Sequence, residues 1–252
     1  MKYKSILITG GTGSFGKAFV SHLIKTNKNL KRLVIFSRDE WKQSEMAKEY
    51  PTSKFPFIRF FLGDVRDYER LRRAVKGIEV IVHAAALKQV PAAEYNPIEF
   101  IKTNIIGAQN IIEASIEQNI KKVIALSTDK AAAPLNLYGA TKLCSDKLFI
   151  AANNYSGKNI FSVCRYGNVM GTRGSVIPHF VEQIKKNKPL TLTDPNMTRF
   201  LMSLDEAVDL VLFAFKNGKA GDLFIQKSPG STIQDLALAL QELFNSKNKM
   251  TI

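Results

Sequence analysis

The chain has 252 residues, 45% of them apolar, enough for one large domain or a domain with a small lobe, and no stretch approaches the roughly 20 apolar residues of a membrane span. A net charge of +14 suits anionic partners, yet the cations fall in short groups such as Lys185-Lys186 and Arg70-Leu71-Arg72-Arg73. They form no basic strip interleaved with aromatics, so neither nucleic acid nor a membrane is an expected partner.

The first apolar run, residues 5–9, is too short for a signal-peptide core and passes directly into a glycine turn, so a cytoplasmic location is expected. Two cysteines, Cys144 and Cys164, make no disulfide framework, and both are expected to pack. Gly10-Gly11-Thr12-Gly13-Ser14-Phe15-Gly16 follows that first strand, and a helical period occupies 17–25. Glycines three apart allow a tight turn, close approach of backbone to a pyrophosphate, and close helix-on-strand packing, with phosphate at the helix amino end. A dinucleotide site is expected here.

The second strand, 32–37, ends at Ser37-Arg38-Asp39-Glu40, where the residue that contacts the adenosine ribose belongs. An acidic residue there favours NAD. The first charged residue is instead Arg38, with Ser37 before it and Lys42 after, a group suited to a 2′-phosphate, so NADP is the expected cofactor. Asp39, turned inward to the ribose, would oppose this.

Further strands are expected at 58–62, 80–83, 122–127 and 160–165, and helices at 68–75, 98–118 and 137–154. The alternation predicts an α/β fold: a Rossmann-like doubly wound parallel sheet, with an NADP-binding domain over 1–166. Asp64, just past the third strand, and Ala84-Ala85-Ala86, just past the fourth, fall at carboxyl ends of strands, the edge where such sheets bind ligands. Ser127-Thr128-Asp129-Lys130 ends the fifth at the same edge. Tyr138 and Lys142 then stand four apart on one helix face, where an ammonium lowers the pKa of a phenol and fits it to accept a proton from a substrate hydroxyl.

After Tyr166 the alternation stops. Gly167-Asn168-Val169-Met170-Gly171-Thr172-Arg173-Gly174-Ser175 reads as a loop wrapped around a ligand, and capping-box patterns at Ser203-x-x-Glu206 and Ser231-x-x-Gln234 open two later helices. Residues 167–252 are the expected small C-terminal substrate-binding lobe, interleaved with the sheet.

Gly10-x-x-Gly13-x-x-Gly16 with Tyr138-x-x-x-Lys142 resembles the extended short-chain dehydrogenase/reductases that act on nucleotide sugars. Ser37-Arg38-Asp39-Glu40, His83-Ala84-Ala85-Ala86-Leu87-Lys88, Ser127-Thr128-Asp129-Lys130-Ala131-Ala132, the run from Leu137 to Lys147 and Met197-Thr198-Arg199-Phe200 narrow the likeness. Together they resemble the inverting UDP-N-acetylglucosamine 4,6-dehydratases that start pseudaminic acid synthesis. Asp129-Lys130 replaces the Asp-Glu of ordinary sugar-nucleotide 4,6-dehydratases, and Tyr138 is a residue that related capsule enzymes often lack.

The resemblance implies a hydro-lyase and homo-oligomer acting on UDP-N-acetylglucosamine. Tyr138, aided by Lys142, would take the proton of the carbon 4 hydroxyl as hydride passes to NADP; Lys130 would remove the carbon 5 proton and Asp129 protonate the departing carbon 6 hydroxyl. Thr128 would bond the carbon 4 oxygen. The same likeness implies a cofactor held by Gly10, Thr12, Gly13, Ser14, Phe15, Gly16, Ser37, Arg38, Asp39, Lys42, Asp64, Val65, Ala84, Ala85, Ala86, Lys88, Tyr138 and Lys142. It implies a substrate held by Lys88, Asn168, Arg173, Gly174, Ser175, Val176, Thr193, Met197 and Arg199, with no metal. Members of that family continue past the position of Ile252 into an Arg-x-Gly-Glu-Lys-like stretch, so part of the diphosphate grip is expected to lie beyond it. Two other readings stay open: a nucleotide-sugar epimerase or reductase, which has no need of Asp129-Lys130, and a non-catalytic NADP-binding module.

Overall fold

The computed structural model describes residues 3–172 and 174–252. Its elements in chain order are β1 (Ser5–Thr9), α1 (Ser14–Thr26), β2 (Arg32–Ser37), α2 (Glu40–Glu49), β3 (Ile58–Leu62), α3 (Tyr68–Val75), β4 (Val80–His83), α4 (Val90–Tyr95) and α5 (Pro97–Phe100). A π-helical segment (Ile101–Ile106) leads into α6 (Gly107–Glu117), followed by β5 (Lys122–Thr128), a 3₁₀ turn (Asp129–Ala131), α7 (Leu137–Ala152) and β6 (Ile160–Tyr166). The remainder comprises β7 (Asn168–Val169), α8 (Val176–Lys185), β8 (Leu190–Thr191), β9 (Thr198–Met202), α9 (Leu204–Asn217), β10 (Leu223–Ile225), β11 (Gly230–Thr232), α10 (Ile233–Leu243) and β12 (Met250–Thr251).

Seven strands form one parallel sheet in the order β10-β6-β5-β4-β1-β2-β3. Because its inner strands are covered on both faces, they are apolar at nearly every position and successive residues serve opposite layers. Ile6 and Ile8 point into the layer of Phe19 and Leu23 from α1 and Val211 and Phe215 from α9. Leu7 points into the layer of Leu71 from α3, Ile111 and Ile112 from α6, and Phe149 from α7. The order in which strands are added reverses around β1, whose neighbours are β4 and β2, and a crevice opens there at the carboxyl ends.

The doubly wound expectation is met, and α3 spans the expected residues. Residues 98–118 differ: one expected helix is α5, a π-helical segment and α6, because helical period alone does not reveal an extra residue in a turn. Ser203 caps α9 with the reciprocal Glu206 bonds expected of it, but the cap of α10 is Thr232, which accepts from Asp235 N, and not Ser231. Cys164 is buried as expected, whereas Cys144 is exposed on α7.

Beyond Tyr166 the chain does two things. It builds a small core of its own from Phe180, Leu190, Leu192, Ile233, Ala237 and Leu240, and it returns α9 and β10 to the main body. The three-stranded β11-β9-β7 sheet joins the two, since β7 directly follows β6.

Candidate active site

A cleft of about 1870 Å³ runs along the carboxyl edge of the sheet and under the small core. On one side lies the glycine turn. Gly10 has φ +66°, which L side chains rarely adopt, and a methyl on it would press against the Ala84-Ala85 backbone. A methyl on Gly16 would overlap the Gly11 backbone, so only glycine lets α1 start this close to β1. Gly13 caps α1 without a side chain, which leaves the positive end of that helix open to an anion. Thr9 Oγ1 ties β1 to β4 through His83 Nδ1 (2.9 Å) and the Ala85 N–H (3.2 Å). This cradle fits a dinucleotide pyrophosphate.

At the end of β2, Arg38 is half exposed and its Nη1 stands 3.6 Å from Asp64 Oδ2. Asp39 does not turn inward: its carboxylate accepts from Lys42 N at 3.0 Å and pairs with Lys42 Nζ, bonds that hold its carboxyl below the usual range.

On the other side, β5 ends in a cluster of side chains. Lys130 Nζ lies 3.0 Å from Asp129 Oδ1 and 3.1 Å from Asn168 Oδ1, while Thr128 Oγ1 donates to the same Asp129 oxygen at 3.0 Å. Asn168 Nδ2 and Ser127 Oγ are buried without a hydrogen-bond partner among the described residues. Asn136 caps α7 by accepting from Gly139 N, and a methyl on Gly139 would overlap the Lys130 carbonyl oxygen. That close contact sets the start of α7 against the Asp129–Ala131 turn.

Electrostatics here depart from the expected phenol chemistry. Burial pushes Tyr138 up to about 12, with a hydrogen bond to Thr128 opposing the rise and Asp129 and Asp146 adding to it. Lys142 is itself pushed down by burial, against the attraction of Asp146. The net shift of the phenol is therefore upward, because its removal from water outweighs the hydrogen bond from Thr128 that favours the phenolate. Lys88 is also pushed down, by burial and then by the charge of Lys130.

Every expected site residue among those described lines the cleft except Asp129, whose carboxylate is bonded to Thr128 and Lys130 of the lining. Arg173 lies outside the described residues. Arg199 spends Nη1 on the Thr198 carbonyl at 2.8 Å. Sequence reasoning passed over Trp41, Gln89, His179 and Asp194, which also line the cleft. It also passed over Asn104, whose amide bonds both the N–H and C=O of Leu87 and the Thr141 hydroxyl, fixing the 84–88 segment against α7. Asn104 sits in the π-helical segment, so helical period offered no signal for it.

Residues 6–252 match the family model described as polysaccharide biosynthesis protein. A Rickettsia bellii protein named UDP-glucose 4-epimerase is 54% identical over 251 residues, covering 98% of this chain and 73% of that one. Among solved structures, Pen from Bacillus thuringiensis is 41% identical with a TM-score of 0.94, covering 99% of this chain and 79% of Pen. DesIV, a dTDP-glucose 4,6-dehydratase from Streptomyces venezuelae solved with NAD bound, is 22% identical with a TM-score of 0.85, covering 96% of this chain and 81% of DesIV; that likeness bears on the fold alone.

Proposed function

The chain belongs to the polysaccharide biosynthesis protein family, and from that premise we propose that it is an NADP-dependent UDP-N-acetylglucosamine 4,6-dehydratase that inverts carbon 5. The product is a UDP-4-keto-6-deoxy-L-arabino-hexosamine for surface-glycan synthesis. Residues 1–166 bind the dinucleotide and 167–252 hold most of the sugar nucleotide. One observation carries the reading: the Asp129-Lys130 pair, braced by Asn168, sits at the end of β5 beside Tyr138. An oxidation or epimerisation at carbon 4 needs Tyr138 but not that pair.

A bound nicotinamide ring supplies reversible storage of the hydride from carbon 4. Tyr138 accepts the proton of the carbon 4 hydroxyl in its phenolate form, with Thr128 bonded to the phenol oxygen; because burial holds the phenol up to about 12, that form would draw on the positive charge a bound oxidised nicotinamide brings to the cleft. Asp129 and Lys130 then act as a unit. In the resting ion pair the shared proton is on Lys130; moved across the 3.0 Å contact to Asp129, it leaves a neutral amine and a carboxylic acid in one step. The amine removes the carbon 5 proton and the acid protonates the departing carbon 6 hydroxyl, so water leaves and the pair returns to its charged form. With the stored hydride returned to carbon 6, carbon 5 regains a solvent-derived proton from the face opposite Lys130, which inverts it. Lys88, Asn168, Ser175, Thr193, Met197 and Arg199, with the Gly174 and Val176 backbone, hold the substrate, and the +14 charge draws the nucleotide in.

Arg38, half exposed beside an Asp39 already committed to Lys42, supports NADP over NAD. A second reading, UDP-sugar 4-epimerase, is supported by the name of the Rickettsia bellii relative. Incubation with UDP-N-acetylglucosamine in heavy water separates the two. Dehydration gives a product lighter by one water, deuterated at carbon 5 and of L-arabino configuration by NMR. An unchanged mass with inverted carbon 4 would establish the epimerase, and a dehydrated product with retained carbon 5 would remove the inversion.

A further inference from the structure

The dinucleotide reading leaves one end of the cleft unexplained, the end where an adenine would lie. Of the lining residues contributed by β2, α2 and the turn between them, Ser37, Arg38, Asp39, Lys42 and Glu45 are polar and Phe36 is fully buried. Trp41 is the exception. It lies in the first turn of α2, is 71% exposed, and lines the cleft between Arg38 and Lys42 in sequence. Leaving so large an indole in water forgoes the burial that aromatic side chains normally contribute, unless a ligand covers it. Lys48 Nζ, 5.8 Å from the ring centroid, steadies the ring against α2. The start of the helix is itself fixed, because Asp39 accepts from Lys42 N.

We propose that Trp41 is the platform on which the adenine base stacks, a contact that rests on the dinucleotide reading above. The base and the ribose 2′-position of one nucleoside would then meet neighbouring residues, Trp41 the first and Arg38 with Lys42 the second. An indole offers a flat apolar face to a base without selecting hydrogen-bonding groups, so it adds affinity for the adenosine half of either dinucleotide, while the two cations select between them.

Trp41 is the only tryptophan in the chain, so protein fluorescence excited at the indole band reports on it alone. Titration of the whole chain with NADP and with 2′,5′-ADP should quench that emission, while nicotinamide mononucleotide, which has no adenine, should leave it unchanged. By calorimetry, Trp41→Leu should raise the dissociation constant for 2′,5′-ADP by roughly 5- to 150-fold, the range expected for one base stacked on an aromatic ring. Trp41→Phe should recover most of that loss. Exposure of the side chain means neither variant disturbs the core. Quenching by 2′,5′-ADP together with the Leu variant's loss supports the platform. Calorimetric binding of 2′,5′-ADP without a fluorescence change, or equal affinity in the Leu variant, overturns it while leaving the dinucleotide site standing. If NADP, NAD and 2′,5′-ADP all fail to bind the wild-type chain, the dinucleotide reading falls and the platform with it.

Discussion

The two sides of the cleft are built from different materials. At the carboxyl end of β1 the chain offers backbone: Gly10 in a left-handed conformation, Gly16 pressed on Gly11, and the uncapped start of α1. At the carboxyl end of β5 it offers side chains, with Lys130 shared between Asp129 and Asn168, and Asn168 Nδ2 buried and unpaired among the described residues. A backbone cradle tolerates no added atom but needs no particular charge. A side-chain cluster tolerates small shifts in shape but fails when one charge or proton is removed. Substitutions on the two sides should therefore separate binding from chemistry.

The largest expected effect is on the side-chain side. Lys130→Ala should lower the dehydration rate by roughly 10²- to 10⁴-fold, the usual contribution of a positioned acid or base, while calorimetry finds NADP bound as before. Asp129→Asn should behave alike, since the pair shares one proton. Wild-type turnover in either variant would show that the pair is not the acid and base.

The converse variant is Gly16→Ala. Its methyl meets Gly11 backbone, which has no flexible end to yield, so NADP affinity should fall at least about tenfold, or 1.4 kcal/mol, with the Asp129-Lys130 geometry unchanged. Undiminished NADP binding would show that the close approach is not what the site requires. Arg38→Ala sharpens the same side: losing one charge-assisted contact to the 2′-phosphate should cost NADP about 1.5–3 kcal/mol and NAD little. Equal losses for the two cofactors would refute that role.

His83 connects the two sides, lying on β4 between β1 and β5 with its Nδ1 bonded to Thr9 and its Nε2 buried without a partner among the described residues. Burial, and then the charge of Lys142, pushes it down to about 3 from 6.5. The unfolded chain therefore binds the extra proton between pH 6.5 and about 3. Stability is complete above 6.5 and is lost as pH falls, by up to ~1.4 kcal/mol per pH unit from this group. Thermal melts should show that slope between pH 6.5 and 5, and His83→Gln should flatten it. An unchanged slope would mean other groups dominate acid unfolding.

The smallest effect is expected in the C-terminal part. Ser203→Ala removes the reciprocal cap of α9 and should cost about 1 kcal/mol of stability, read as a lowered melting temperature without change in NADP affinity.

Local sequence fixed what depends on neighbours along the chain. The apolar runs that became β1 to β6, the glycine spacing before α1, the i,i+4 placement of Tyr138 and Lys142, and the cap at Ser203 are short-range properties, and each was legible because strand, turn and helix periods are set within a few residues. Tertiary structure decided what depends on distant partners. Residue 168 comes to brace residue 130 because β7 leaves β6 beside the end of β5, and no local pattern states that distance. The direction of the Tyr138 shift belongs to the same class. Spacing placed a cation one turn away, but only the folded environment set how much water each group loses, and for Tyr138 burial outweighed the Thr128 hydrogen bond that lowers its pKa. Asn104, working from a π-helical turn no periodicity reveals, and Trp41, an aromatic whose exposure exists only once α2 is laid along the cleft, acquired their positions from packing rather than from the residues beside them.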